Sequence, residues 1–586
     1  MLFRRHLGRD RATESDENSS TPPNGTVAYD GDFKYVGEVG GNDAPEMFQE
    51  AGGAPVESHS PLGYNVGPIT ILFLNISMMI GTGIYSTPSS ILKGTGSVGL
   101  SMIYWVLGGI ISLCSGAVYL EFSAYFPSRS GAEVVNLEQA YPSPRFLFPT
   151  AFAMQNVILS FRSSNCIVLA NYLFATAGRT GTDWQIKGVA IVAYTVAVIA
   201  AILHTKGAYY LSNGIGAIKL LTLVFIAITG WVVLAGHTSV ENPKAHFQNA
   251  FEGTATPYGV TNALYRIIFS YAGYNNAFNV VNEIKNPVKQ IKRNGTISIL
   301  TVMALYIFAN IAYFAAVKKE DLENSGTIAA TLFFSSVFGS SKSSRGLNFL
   351  IALSSFGNLI AVLIGAGRQL RECGRQGVLP WTRYWVSTWP FGTPAGPYLF
   401  DWAITVLVIL AVPTGDAFNF VSDLAVFPSS FFSLAMAIGL YVVRWRRKKA
   451  NLPEPAFKAW HPVVIFNILV QLYLIVMPWY PPAAGKGDVS FWYGTYVVTG
   501  IGIVLTCIAY YVLWVKLLPK WRGYELRQEV LQLESGAQGH QLVKVPIEQV
   551  AEWDATHDAI GRPIGAVSSN DARTEVQFSS LAAEKA

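Results

Sequence analysis

Two glycines and a threonine, Gly81-Thr82-Gly83, interrupt the first long apolar run of the 586-residue chain. Glycine is a weak helix former and Pro88 follows closely, so a continuous helix is disfavoured here. In a bilayer, an unwound backbone strands its N–H and C=O groups unless protein, water or a ligand satisfies them. The stretch therefore predicts either a polar binding site at mid-membrane or a closely packed face of small residues.

A second interruption, Phe269-Ser270-Tyr271-Ala272-Gly273-Tyr274-Asn275-Asn276, lies five apolar runs later. Interrupted segments at matching positions of two halves indicate the substrate site of a transporter built from an inverted repeat. The pairing favours the binding-site interpretation of Gly81-Thr82-Gly83. It also predicts a 5+5 repeat in which the first and sixth helices are broken.

Two cationic side chains stand within apolar runs. Lys219 lies roughly 14 Å into its run by helix rise, close to the middle of a bilayer. A lysine at that depth is costly enough to indicate function, although a static brace between helices is the alternative. Arg162 lies midway along the third run, where it could contact a ligand or pair with a carboxylate or with freed carbonyls.

The composition is that of a membrane protein. Hydrophobic residues make up 51% of the chain and charged residues only 13%, with a mean hydropathy of +0.33. Soluble domains have about 25% charged residues, so the density of charge is half the usual value.

Several classes of function are excluded. Lysines and arginines are dispersed under a net charge of +5, which argues against nucleic-acid binding. Cys114, Cys166, Cys373 and Cys507 form no CxxC pair and the eight histidines form no ligand cluster, so neither a disulfide framework nor a metal site is indicated. No Walker spacing and no catalytic constellation is found, so the chain is not predicted to be an enzyme.

Apolar runs long enough to cross about 30 Å of hydrocarbon occur twelve times. They cover residues 66–92, 98–126, 146–176, 186–205, 210–235, 256–284, 295–317, 345–372, 395–412, 416–445, 461–480 and 492–518. These runs predict an all-α polytopic membrane protein with a twelve-helix core over residues 63–518. Residues 1–62 are acidic and poor in aromatic side chains, which predicts a disordered tail, and residues 519–586 form a second polar tail.

Lysines and arginines are more frequent in the loops on the side of the N-terminus, above all in the run Arg444 to Lys449. The positive-inside rule therefore predicts that both tails are cytoplasmic.

Several motifs resemble those of the amino acid–polyamine–organocation (APC) superfamily. They are Gly81-Thr82-Gly83-Ile84-Tyr85-Ser86-Thr87-Pro88, Tyr119-Leu120-Glu121-Phe122, Pro127-Ser128-Arg129-Ser130-Gly131-Ala132-Glu133 with Asn136-Leu137-Glu138, Arg162-Ser163-Ser164, Ala217-Ile218-Lys219-Leu220-Leu221, Asn282-Glu283-Ile284-Lys285-Asn286-Pro287, Gly367-Arg368-Gln369 and Gly377-Val378-Leu379-Pro380. Within the superfamily the chain is similar to the L-type amino acid transporter branch, and there to the fungal high-affinity methionine permeases. The resemblance covers about residues 63–518 and implies the LeuT-like fold with broken helices 1 and 6.

The resemblance also implies partners. Animal members of the branch pair with a glycoprotein heavy chain through a cysteine after the third span. The loop from Thr176 to Ile186 contains no cysteine, so no disulfide-linked partner is expected. The acidic N-terminal tail suits ubiquitin-ligase adaptors with Lys34 as the attachment site, and an unchanged internalisation rate in Lys34→Arg would count against that role.

An amino acid zwitterion needs donors for its carboxylate and acceptors for its ammonium group. The outer half of the first helix begins with free N–H groups, so Thr82 and Gly83 are predicted to hold the carboxylate. By resemblance, the carbonyls of Met79, Phe269 and Ala272 accept from the ammonium group, and the Phe269 ring covers the ligand. The rest of the predicted substrate site is Ser270, Tyr274 and Asn275.

In sodium-coupled members of this fold a sodium ion sits between spans 1 and 8, and in proton-coupled or uncoupled members a lysine of span 5 replaces it. The resemblance implies that Lys219 removes the sodium requirement and carries the coupled proton, with Ser354 and Ser355 beside its ammonium group. No cofactor and no sodium site are expected.

Two acidic side chains, Glu121 and Glu133, are predicted at the cytoplasmic end of the core. They could pair with Arg129 or Arg368 as an inner gate, or remain solvated loop charges.

These features predict a plasma-membrane permease that imports amino acids by proton symport, with a neutral amino acid such as methionine as substrate. The alternatives are an amino acid exchanger, a carrier of polyamines or another metabolite, and a non-transporting nutrient receptor.

Overall fold

The structure is a computed structural model that describes residues 27–30, 33–324, 329–339, 342–412, 414–482, 491–533 and 536–564. Residues 1–26 and 31–32 of the predicted N-terminal tail lie outside the described residues. Within them, helices form a bundle, and two small antiparallel sheets lie together at one of its ends.

The first half of the bundle contains eleven helices and a 3-10 segment. They are α1 (Pro68–Met79), α2 (Gly83–Ser86), α3 (Pro88–Thr95), α4 (Val98–Tyr125), α5 (Glu133–Ala140), α6 (Leu147–Ile158), α7 (Ser163–Ala177), α8 (Asp183–Leu203), α9 (Thr205–Leu234), α10 (Ala245–Gln248), α11 (Pro257–Tyr271) and the 3-10 segment Asn276–Glu283. Proline occupies the first turn of α1, α3 and α11, where its missing N–H would have no helical partner in any case.

The second half contains the remaining helices. They are α12 (Pro287–Ala316), α13 (Lys319–Glu323), α14 (Ala329–Phe338), α15 (Lys342–Arg375), α16 (Thr382–Val386), α17 (Ala395–Ala411), α18 (Thr414–Lys449), α19 (His461–Val476), α20 (Thr495–Tyr511), α21 (Leu518–Arg522) and α22 (Val550–Thr556). A turn of π-helix, Val512–Leu517, joins α20 to α21. Helix α1 packs against α9, α12 and α15, and α11 packs against α3 and α4.

Ten helical stretches among the described residues are long and apolar enough to cross a bilayer. The predicted sixth and ninth spans are not among them, because the sixth is broken after Tyr271 and the ninth, Ala395–Ala411, has only 17 residues. The chain is therefore a multi-pass helical membrane protein. The count of twelve crossings and the 5+5 repeat remain predictions.

The structure of the two terminal segments differs from what the sequence predicts. Residues 33–62 were expected to be disordered, and the fold was expected to be all-α. Instead β1 (Val27–Asp30), β2 (Phe33–Glu38) and β3 (Met47–Glu50) form an antiparallel sheet, and β4 (Tyr524–Gln532) pairs with β5 (Gln538–Pro546) as a hairpin. We call residues 33–62 and 524–564 together the terminal cap.

The terminal cap is ordered because the bundle supplies partners for its polar groups. Glu57 accepts from Arg371 at 2.5 Å, and Arg375 donates to the carbonyl of Gln538 at 2.6 Å. Gln528 of the hairpin donates to the carbonyl of Gly52 at 2.8 Å, which joins the two terminal segments to each other. These contacts join residues that are far apart in the sequence. The local composition of residues 33–62 does not reveal them, and it therefore predicts disorder.

His540 is the one fully buried histidine in the described part of the cap. Its Nε2 lies 2.8 Å from the carbonyl of Ile560, and its Nδ1 lies 3.1 Å from the amide nitrogen of Gln528. Burial lowers the pKa of His540 to about 3, so the folded cap holds a neutral imidazole.

We expect the cap to loosen as the pH falls below about 6.5, where an unfolded histidine takes up a proton and the buried one does not. The loss should be about 1 kcal/mol for each pH unit, and it should be complete only near the depressed pKa. Hydrogen exchange of β4 and β5, corrected for intrinsic rates, measures it between pH 7.5 and 5.5. His540→Gln should lack this pH dependence; identical profiles for both proteins would contradict the assignment.

Candidate binding site at the two helix breaks

The first helix is interrupted where the sequence predicted. Helix α1 ends at Met79, and Ile80 leaves the helical region with φ −76° and ψ 77°. The chain re-enters a helix at Gly83. In the sixth segment, α11 ends at Tyr271 and the chain turns through Gly273, whose φ is +118°. Both predicted breaks are thus present in the structure.

The two breaks lie against each other. Asn75 of α1 donates to the carbonyl of Tyr274 at 3.0 Å and accepts from the N–H of Ala277 at 2.9 Å. On the other side of the break, Gly83 packs so closely that an added Cβ would lie 2.7 Å from the Cα of Ser270. The side-chain amide of Asn75 therefore holds α1, near the point where it unwinds, against the turn after α11.

Lys219 satisfies two of the carbonyls that the first break frees. Its ammonium group donates to the carbonyls of Ser77 and Ile80, both at 2.7 Å, and the side chain is fully buried. The last carbonyls of any helix lack intrahelical partners, and inside a bilayer water cannot replace them. Lys219 thus caps the C-terminus of α1.

The predicted neighbours of Lys219 are not its partners. Ser355 donates to the carbonyl of Ile351 at 3.0 Å, within its own helix, and no hydrogen bond joins the buried hydroxyl of Ser354 to Lys219 among the described residues. Among the described residues Lys219 donates to carbonyls of α1 and not to these serines, and their position beside the ammonium group stays a prediction.

Two further side chains complete the cap on α1. The amide of Asn358 donates to the carbonyl of Met78 at 2.5 Å. The hydroxyl of Tyr306 lies 2.6 Å from the carbonyl of Met79 and 3.0 Å from that of Ser270. Tyr306 therefore bridges the two breaks.

A cavity of about 350 Å³ opens beside the breaks. Seven of the eight predicted substrate residues line it, namely Met79, Thr82, Gly83, Phe269, Ala272, Tyr274 and Asn275. The exception is Ser270, which does not line the cavity because its hydroxyl donates into α11, to the carbonyl of Arg266 at 2.7 Å.

The predicted ammonium acceptor Met79 is already engaged. Its carbonyl accepts from the N–H of Gly81 at 2.8 Å as well as from Tyr306, which uses both of its lone pairs. A ligand ammonium group at Met79 would have to displace one of these donors.

Asparagines that sequence reasoning missed connect the site. The hydroxyl of Thr82 donates to Asn165 at 2.7 Å, and the amide of Asn165 donates to Asn358 at 2.8 Å. All three line the cavity. An amide side chain inside an apolar run is costly, as a lysine is. This cost is the feature of the sequence that could have identified Asn165 and Asn358.

Arg162 stands in the gap between α6 and α7 and lines the cavity. Its guanidinium group lies 3.4 Å from the carboxylate of Asp401, and its backbone N–H donates to Thr405 at 3.0 Å. Both sequence-based alternatives are therefore compatible with its position, since it pairs with a carboxylate and also faces the cavity.

The predicted inner-gate pairs are wrong. Glu121 accepts from Arg444 at 2.6 Å, which fixes α4 to the end of α18. Glu133 lines the cavity and accepts from Asn275 at 2.9 Å and from Gln369 at 2.7 Å.

The two arginines proposed for the gate have other partners. Arg368 pairs with Glu283 at 2.9 Å, and Arg129 pairs with Glu372 at 2.7 Å and with Glu138. The sequence predicts which residues carry charge at this end of the core. It does not predict which carboxylate pairs with which guanidinium group.

Among the described residues, the wall of the cavity has one acidic and one basic side chain, Glu133 and Arg162. The remaining wall combines small polar side chains with apolar ones. These are Ser112, Ser115, Ser164, Ser429, Ser430, Ser433 and Gln471 on the polar side, and Ile111, Phe161, Ile268, Val362, Val421, Val426 and Leu474 on the apolar side. Such a chamber suits a small ligand with balanced charge and an apolar portion.

Comparison with known proteins agrees with this geometry. The amino acid permease family model matches residues 66–505. The chain is 34% identical to the high-affinity methionine permease of Saccharomyces cerevisiae, over 84% of this chain and 87% of that protein. It is 27% identical to the low-affinity methionine permease of the same organism, over 83% and 89% of the two chains. It is also 27% identical to the mouse large neutral amino acids transporter small subunit 2, over 81% and 85%.

Gly83→Ala should destabilise the protein by about 1–3 kcal/mol, because the new Cβ would meet the backbone of Ser270, which cannot rotate away. Thermal unfolding of the purified protein should show a lowered melting temperature. Gly214→Ala in α9 is the matched control, since no atom lies within 4 Å of its added Cβ and alanine favours a helix. Equal melting temperatures for the two variants would contradict the close approach of the breaks.

Proposed function

The chain belongs to the amino acid permease family, and from that premise we propose that it imports a neutral amino acid, such as methionine, across the plasma membrane by proton symport. Its relatives are transporters, and it is not an enzyme. The observation on which the proposal depends is the cavity that opens where two broken helices meet.

The broken helices suit both ends of a zwitterion. The N–H groups at the start of α2, beside Thr82 and Gly83, are donors for a carboxylate. Carbonyls at the turn after α11, such as that of Ala272, are acceptors for an ammonium group. Phe269 lies in the cavity wall, where its ring can cover the bound ligand.

The wall of the cavity favours a neutral amino acid over a polyamine. One carboxylate and one guanidinium group, Glu133 and Arg162, leave the wall without net charge. A polyamine would need several acidic side chains to replace its lost hydration. The apolar part of the wall and the names of two yeast relatives support methionine as the first substrate to test.

Lys219 supports proton rather than sodium coupling. Its ammonium group fills the end of α1 with positive charge, between carbonyls that could otherwise accept from or coordinate a cation. Deprotonation of Lys219 would remove its positive charge and one N–H donor, and so weaken the hydrogen bonds to the carbonyls of Ser77 and Ile80 at the first break. In this proposal the protonation state of Lys219 changes the conformation of the site.

The arginine-rich end of the bundle is proposed to face the cytosol. The terminal cap lies at that end, so both terminal segments would be cytoplasmic. The four cysteines are free within the chain, and none lies in the loop that holds the heavy-chain cysteine of animal relatives. The proposal is therefore a transporter that acts without a disulfide-linked partner.

Cells that lack their own uptake systems should accumulate labelled methionine when they express this protein. Uptake should rise several-fold when the external pH is lowered from 7 to 5, and replacement of sodium by choline should not change it. A competition panel of the standard amino acids would rank the substrates. Uptake only in cells preloaded with amino acid would identify an exchanger instead, and stoichiometric binding without accumulation would identify a receptor.

Lys219→Met should abolish the acceleration at low pH while exchange of internal for external substrate remains measurable. The physical reason is that methionine fills the space of lysine without binding a proton. Lys187→Met is the control, because Lys187 is also a buried lysine with a carbonyl partner, Leu410 at 3.2 Å, but lies away from the breaks. Full pH dependence in Lys219→Met would exclude Lys219 as the proton carrier.

A further inference from the structure

A second cavity, of about 390 Å³, lies between the terminal cap and the bundle. It is as large as the cavity at the helix breaks. Its wall contains Lys34 and Glu50 of the first sheet, Arg145 before α6, Gln376 after α15 and Gln528 of the hairpin. We call it the cap cavity, and no step of the proposed transport reaction uses it.

One side of the cap cavity is cationic. Arg145 is exposed and donates to the side-chain oxygen of Gln528 at 2.9 Å, while its guanidinium group stacks 5.0 Å from the ring of Phe146. Lys34 is half-buried, and its ammonium group has no hydrogen bond or ion pair within the described residues. A guanidinium group has five N–H donors, so most of the donors on this side have no protein acceptor.

Two acceptors in the wall of the cap cavity need hydrogen-bond donors. Gln376 is only 2% exposed; its amide nitrogen donates to the carbonyl of Val134 at 3.2 Å, while its side-chain oxygen is buried without a partner among the described residues. Glu50 accepts from the N–H of Gly52 at 2.9 Å. Burial raises the pKa of Glu50 to about 7, so a cation beside it would be favoured.

The neighbouring acid does not neutralise the cationic side. Glu138 also lines the cap cavity, but it is paired with Arg129, which is fully buried beneath it. Aromatic and proline side chains, among them Phe33 and Tyr141, complete the wall and offer an apolar surface. Cationic donors, a buried acceptor without a partner and an apolar wall therefore face one cavity.

We propose that the cap cavity binds a free α-amino acid, with its carboxylate at Arg145 and Lys34 and its ammonium group at Gln376 and Glu50. The buried side-chain oxygen of Gln376 is costly without a donor, and a zwitterion supplies that donor while its carboxylate pairs with the cationic side. A simple anion would leave Gln376 unsatisfied, and a simple cation would face Arg145.

The position of the ligand gives it a regulatory role. It contacts the N-terminal sheet, the α5–α6 connection, the end of α15 and the hairpin, so its binding holds the terminal cap against the bundle. If the cap is cytoplasmic, as the proposed function requires, the site senses the internal amino acid pool. The binding itself does not depend on that function.

Equilibrium binding of labelled L-methionine to the full-length protein in lipid nanodiscs tests the site. The wild type should bind two equivalents, and Arg145→Gln should bind one. Arg383→Gln, an exposed arginine of α16 outside both cavities, should still bind two. Unlabelled leucine, lysine and glutamate as competitors define which side chains enter.

Gln376→Met is a second variant that keeps the size of the side chain and removes the acceptor, and it should lower the affinity of the second equivalent at least tenfold. Melting temperatures of both variants within a few degrees of the wild type would show that they fold. One equivalent in the wild type, or two in both variants, would overturn the proposal.

Hydrogen exchange gives a readout that needs no transport. Methionine should slow exchange in β4 and β5 several-fold in the wild type and not in Arg145→Gln. If methionine does not slow this exchange in the wild type while uptake is normal, the cap cavity site is refuted and the proposed import is not. Two equivalents and full protection in a protein that accumulates no amino acid would instead refute the proposed import and leave the cap cavity site in place.

Discussion

The structure depends on one constraint, which is that backbone groups freed inside a bilayer must find partners within the protein. The end of α1 frees the carbonyls of four successive residues, from Ser77 to Ile80, and each accepts a hydrogen bond from outside the helix or from the break itself. Lys219, Asn358 and Tyr306 supply the donors from α9, α15 and α12. Three helices are thereby fixed around one break, and a change in any of these contacts alters the site directly.

The same constraint explains why the site combines rigidity with a capacity to respond. A protonated lysine donates charge-assisted hydrogen bonds to two carbonyls, which are stronger than those of its neutral amine, whereas asparagine and tyrosine donate equally at any physiological pH. The second break is fixed to the first through Asn75 and Tyr306. Local changes at α1 therefore reach the turn after α11 through direct hydrogen bonds, and no long path through the bundle is needed.

The charged end of the bundle follows a different principle. Several of its arginines are buried in pairs with carboxylates, and some of these pairs join the terminal cap to the core, as Glu57 does with Arg371 and Arg375. Buried pairs add little net stability compared with apolar packing, but breaking one is costly, so they specify where a polar segment docks. A segment with the composition of a disordered tail is ordered here because the core presents the matching charges.

The sequence by itself determined the class of protein, the positions of both helix breaks and seven of the residues beside those breaks that line the cavity. Those features follow from local properties: hydropathy over a span, the weak helix propensity of Gly81-Thr82-Gly83, and the cost of a lysine in lipid. Only the tertiary structure decided the partners, such as Arg444 for Glu121, the carbonyls of Ser77 and Ile80 for Lys219, and the bundle for residues 33–62. Partner choice depends on the distance between groups hundreds of residues apart, and that distance exists only once the helices have packed.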